Sequence, residues 1–179
     1  MTYFLVLAIV VAAVSAWTDL RTGHIPNWVT LPALASGIVG HVALGWWLGG
    51  WKFGVWEGVL ALAGAIVCSF APAIMFWKGA MGGGDLKLFA ALGALCQPMI
   101  GLEMEMYAFV VAALVAPARL AYEGRLFAVL KNTASLLLNP LRPREARREV
   151  PPEMMTWFRL GPAVFVGSVA ALVAHSYAI

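Results

Sequence analysis

Apolar residues run along the chain in six long stretches separated by polar turns. They cover Thr2–Trp17, Trp28–Leu48, Val55–Trp77, Leu86–Leu102, Met104–Tyr122 and Leu160–Tyr177. A helix that crosses a bilayer needs about 20 largely apolar residues, within a range of about 17–25. The pattern therefore predicts an all-α, polytopic membrane protein with about six transmembrane helices. The first and fourth stretches are short, and each is expected to borrow length from an Asp-containing turn beside it. Val14-Ser15-Ala16 has the look of a signal-peptidase site, but no Lys or Arg precedes Arg21. A signal peptide wants a basic start, so a retained helix is expected.

The longest polar region is about 123–158. Its first part sets Leu126, Phe127, Leu130, Ala134, Leu137 and Leu138 at helical spacing, with Arg125, Lys131 and Asn132 off that stripe. This predicts an amphipathic helix lying on the membrane surface; the alternative is an extension of the fifth helix. Pro140, Pro143, Pro151 and Pro152, mixed with charge, predict a loop over 139–158. One membrane-embedded domain over 1–179 is expected, with 123–158 as its main polar loop.

Composition agrees with this pattern. The chain is 62% hydrophobic and only 12% charged, with a mean hydropathy of +0.84, against about 45–50% apolar and about 25% charged for soluble domains. A soluble fold could not cover so much apolar surface, so lipid is the expected partner. The net charge of +3 does not imply nucleic acid, because of where the bases fall. Alternate loops hold eleven of the twelve Lys and Arg residues, and the opposite loops hold only Lys52. The positive-inside rule then places both termini outside and the basic loops in the cytoplasm. Glu103 and Glu105 fall on the outer side in this scheme. Cys68 and Cys96 lie in apolar stretches and are read as packing residues.

Asp19 and Asp85 are the only aspartates in the chain. Charge counting puts both on the cytoplasmic side, one after the first helix and one before the fourth. Each has an ordinary reading: Asp19 as an interfacial partner of Arg21, Asp85 as a helix cap. Their settings argue for more. Asp85 lies in Gly82-Gly83-Gly84-Asp85-Leu86-Lys87, where glycines admit close approach of another chain. Without G-x-x-x-x-G-K-[ST], this is not a nucleotide loop. Asp19 opens Asp19-Leu20-Arg21-Thr22-Gly23-His24-Ile25-Pro26-Asn27, where Gly23 and Pro26 turn the chain back.

These two motifs, with Leu160-Gly161-Pro162-Ala163 opening the last helix, resemble the type IV prepilin peptidases, a group of G-x-G-D intramembrane aspartic proteases. The resemblance runs from the first helix to the last. It implies that Asp19 and Asp85 are the catalytic pair, with Gly82, Gly83, Gly84, Lys87, Arg21, Pro26 and Asn27 around the substrate. It implies a prepilin substrate, cut after a Gly at the cytoplasmic boundary of a bacterial inner membrane. With one residue before the first apolar stretch, the chain is similar to the short forms of tight-adherence (Flp-type) systems, and methyl transfer is not expected.

Hydrolysis by two carboxyls needs one ionised, to take a proton from water, and one protonated, to polarise the scissile carbonyl. A soluble aspartic dyad has its upper apparent pKa at about 4.7, so a site facing neutral cytoplasm needs a value about two units higher, within reach of burial. Lys87 and Arg21 would oppose this if aimed at the pair, so both are expected to point elsewhere. No cofactor or metal is expected: His24, His41 and His175 are scattered, without H-E-x-x-H spacing. The alternatives are a small transporter or channel using the two Asp as an ion site, and a non-catalytic pilus or secretion assembly subunit. A transporter favours acids near the midplane, whereas both Asp are placed near one face.

Overall fold

The computed structural model describes residues 2–124, 126–137 and 159–176. Its regular elements are all helices: α1 (Thr2–Thr22), α2 (Asn27–Trp77), α3 (Gly83–Tyr122), α4 (Leu126–Leu137) and α5 (Gly161–Ser176). Three of them are long and apolar enough to cross a membrane, and Gly161–His175 is a shorter apolar helix. Their outer surface is apolar as well. Trp28, Trp46, Trp47, Trp51, Trp56 and Trp77 are all exposed, which suits a protein whose solvent is lipid with aromatic side chains at its borders. The chain is an integral membrane protein.

The chain divides into two compact units, Met1–Val111 with Arg159–Ile179, and Ala112–Phe158. In the second, Arg119 Nε donates to Glu123 Oε1 at 2.9 Å, and Gly124 turns the chain with φ 68° ahead of α4. The stretch read as amphipathic is helical over Leu126–Leu137, with Phe127 and Leu130 exposed. Arg125, Leu138 and the Pro-containing loop 139–158 lie outside the described residues.

In the first unit, α2 has 51 residues, about 76 Å if straight, against a hydrocarbon core of about 30 Å. It is not straight. Gly50 leaves the helical region at φ 79°, ψ −178°, and the two limbs double back on each other. A Cβ at Gly45 would lie 2.9 Å from Gly54 Cα, and one at Gly54 would lie 2.7 Å from Val42 O. The second and third apolar stretches are thus the limbs of one helical hairpin, with small residues where they touch.

α3 does the same at Gln97, with φ 61°, ψ 174°. Phe89 and Phe109 sit 20 positions apart, yet their ring centroids are 5.5 Å apart. Pro98 explains the place. It has no N–H to give the preceding turn, and it pushes the residue before it out of the α region. The fourth and fifth stretches therefore meet at Gln97, not at Glu103 as their hydropathy predicted, and Glu105 is buried at 5% exposure. The first limb, Gly83–Gln97, is 15 residues, about 22 Å. α1 packs on α5 and α2, while α3 meets α2 through Gly64 and Gly93, whose backbones touch with no room for a Cβ on either.

Replacing Gly64 with Val should therefore separate the two hairpins. Overpacking a tight core costs about 1–3 kcal/mol, so a clear fall in Tm in detergent micelles is expected. An unchanged Tm would mean that the contact does not hold the bundle together.

Candidate active site

Asp19 does not follow the first helix, as the hydropathy boundary suggested, but lies inside its last turn. The helix continues past Trp17 until Gly23, which takes φ 70° and returns its N–H to Asp19 O at 2.8 Å. This is a glycine stop of the C′ type. The consequence is positional. A side chain in a helical turn has a fixed bearing, and Asp19 points into the bundle with only 6% exposure.

A carboxylate buried that far needs a donor. It finds one on α5. Gly161 N donates to Asp19 Oδ2 at 2.9 Å, using one of the N–H groups that a helix start leaves without an internal partner. The approach demands glycine: a Cβ at Gly161 would fall 2.9 Å from both Cβ and Oδ2 of Asp19, and 3.2 Å from Ala16 Cα. Beside it, Arg159 Nη1 donates to Leu20 O, covering a carbonyl at the C-terminal end of α1. The start of α5 thus clamps the end of α1 on both sides of Asp19.

Asp85 lies in the first turn of α3, which begins at Gly83. Its carboxyl is close to Gly82, where a Cβ would lie 3.3 Å from Oδ2. The α1–α2 connection closes over this turn. Gly84 packs on Ile25, with a Cβ position 3.1 Å from Ile25 Cβ and 3.3 Å from its carbonyl oxygen. Pro26 caps α2 in extended conformation at φ −75°, ψ 145°. One turn into α3, Lys87 Nζ donates to Asn27 Oδ1 at 2.9 Å. Gly83 faces the Phe76 ring at 3.4 Å.

Most of the residues singled out from the sequence are therefore neighbours, drawn together from α1, the α1–α2 connection, the α2–α3 turn and α3. Arg21 turns away from this group, its guanidinium 4.2 Å above the Trp17 ring. Among the described residues, neither Arg21 nor Lys87 forms an ion pair with either aspartate. Also among the described residues, no cluster of three or more His, Cys, Asp or Glu is spaced to hold a metal ion. Arg159 carried no site signal of its own, whereas Ile25 stood in the Asp19–Asn27 motif without a role assigned to it. Gly161 did carry one, since a Gly-Pro pair at the head of an apolar stretch marks a helix start.

Chemically, the arrangement offers two carboxyls at adjoining helix ends, one braced by an amide and the other in a glycine-rich turn. The model of the type IV leader peptidase family matches residues 5–117, a span that includes both aspartates. No curated protein matches the chain. No solved structure matches it either.

Proposed function

The chain belongs to the type IV leader peptidase family, and from that premise we propose that it cuts the leader from Flp-like prepilins with Asp19 and Asp85 as an aspartic dyad. The observation that supports this reading is that Asp19 is buried and held by α5, while the turn that carries Asp85 packs on Ile25 of the connection just after α1. One carboxyl takes a proton from water while the other polarises the scissile carbonyl, and the roles reverse to protonate the departing amine. The amide of Gly161 occupies one oxygen of Asp19 and so sets the rotation of the carboxyl. The other oxygen is left for water.

On this reading this end of the bundle faces the cytoplasm at a bacterial inner membrane, with six apolar segments threaded between the faces, which the positive-inside distribution of the basic loops supports. α4 then rests on the cytoplasmic leaflet. A prepilin approaching here carries its cleavage site at the lipid boundary. Its helix must unwind there, since helical amides are already hydrogen-bonded, and a Gly at the cut makes that easier.

Co-expression with a Flp-like prepilin should convert the precursor to a shorter pilin whose new N-terminus directly follows the leader Gly. A precursor left intact, or a new end elsewhere in the sequence, would contradict the proposal.

A further inference from the structure

We propose that Gln97, gripped by His41 and Glu57, is a positioning residue for Asp85: a polar latch inside the bundle that fixes the far end of the helix on which Asp85 stands. The proposal rests on the peptidase reading for its kinetic consequence but not for its geometry.

The starting point is a misfit. Gln97 is the one non-glycine residue with positive φ among the described residues. Its φ of 61° and ψ of 174° match the conformation of Gly50, at 79° and −178°. That region is adopted almost solely by glycine. Glycine makes the first reversal and would make the second with less strain. The Gln97 side chain must therefore supply something that glycine cannot.

Its contacts say what. The amide has two N–H groups, and each has an acceptor. Nε2 lies 2.6 Å from Glu57 Oε2 and 3.4 Å from His41 Nδ1. The tautomer of His41 follows from its other nitrogen. Nε2 faces Leu95 O at 3.0 Å, and a carbonyl only accepts, so Nε2 carries the proton. Nδ1 faces the other two members of the latch, Gln97 Nε2 at 3.4 Å and Glu57 Oε2 at 3.6 Å. The bond to Leu95 O is also needed, because carbonyls in the last turn before a break have no partner further along the helix. Phe4 of α1 stacks on the His41 ring at 3.9 Å. His41 comes from the first limb of α2, Glu57 from the second, and Gln97 from α3, so the latch ties three helical segments at one point.

Asp85 is 12 residues from Gln97 on the same helical limb, about 18 Å away. A three-turn helix is stiff, so pinning one end sets the depth and rotation of the other. Little slack remains between. Gly93 is against Gly64, and a Cβ at Gly37 would lie 2.8 Å from the Ala94 carbonyl carbon. Near Asp85, Lys87–Asn27 and the contacts of Gly84 with Ile25 and of Gly83 with Phe76 also hold the limb.

Gln97→Gly is the decisive variant, because it eases the backbone while removing the latch. In full-length protein in nanodiscs, its Tm should equal or exceed that of wild type. Its kcat should fall by about tenfold or more, as expected for a misplaced catalytic group, with KM little changed. Amide exchange over 83–90 should quicken. Gln97→Glu should be worse, setting two carboxyls together, and adding Glu57→Gln should restore a donor–acceptor pair and most of the kcat. Wild-type kcat and exchange in Gln97→Gly would overturn the proposal. So would a lower Tm, which would mean that the side chain holds the fold and not the aspartate. If wild-type protein cleaves no prepilin, the peptidase reading fails, while the exchange measurement still decides the latch.

Discussion

Asp19→Asn and Asp85→Asn should each abolish prepilin cleavage while leaving a folded, inserted protein. The choice of Asn matters because Asp19 has a structural duty as well. Its Oδ2 accepts from Gly161 N at 2.9 Å, so an ordinary helix-capping role must be separated from a catalytic one. Asn keeps an oxygen to accept that bond but cannot exchange protons. If Asp19 only capped α5, Asn would serve nearly as well, with activity within a few fold. If it is half of a dyad, the loss should be at least about 10²–10⁴-fold, the usual contribution of general acid–base catalysis. Among the described residues no other helix donates a hydrogen bond to Asp85, so Asp85→Asn should keep its Tm more fully still. Purified protein, a synthetic prepilin and a melting curve for each variant decide the matter. Substantial cleavage by either variant would remove that residue from the chemistry. Loss of cleavage together with loss of fold in Asp19→Asn would point to the cap instead.

The membrane character and the turns that carry the two aspartates were legible because both depend on short-range signals. Hydropathy reports lipid contact residue by residue. Gly23, Pro26 and Gly82–Gly84 announce turns through their own backbone chemistry. What hydropathy misplaced was where helices stop. The first apolar stretch ends at Trp17, and the helix borrows the Asp turn beside it as its shortness suggested, but it runs on to Gly23, so that Asp19 and Arg21 are helical and do not follow the helix. Glu103 looked like a turn because it is charged, yet the chain reverses at Gln97, where Pro98 removes a donor. A buried Glu105 among apolar neighbours reads as an outer-loop residue in any window average. The Gln97 latch was harder to see for a different reason. Its members are 40 and 56 positions apart in sequence, and each alone is an isolated polar residue in an apolar stretch. Only the folding of α2 and α3 into hairpins brings them together.

Gly161→Ala should lower kcat by about 10–100-fold with a modest change in KM, although residue 161 bears no catalytic group. The reason is steric. The added Cβ would stand 2.9 Å from Asp19 Cβ and Oδ2, inside the distance at which such atoms can coexist, and both lie on packed helices. Ala16 Cα at 3.2 Å blocks a shift in the other direction. Something must give, and the Asp19 carboxyl, at the end of a rotatable bond, can give most readily. A displacement of about 1 Å at a catalytic group can cost about 10²-fold, while substrate contacts elsewhere are spared. The same substitution at Pro162, one position on, should have little effect, since a proline in the first turn supplies no N–H there to lose. A purely structural role for Gly161 predicts something else, a Tm loss that does not depend on Asp19. The double variant separates the two. With Asp19→Gly the obstructing side chain is gone, so Gly161→Ala should then cost much less Tm than it does alone, as expected for two residues in direct contact. If both backgrounds lose equal Tm, or if Gly161→Ala keeps wild-type kcat, the start of α5 does not set the position of the Asp19 carboxyl.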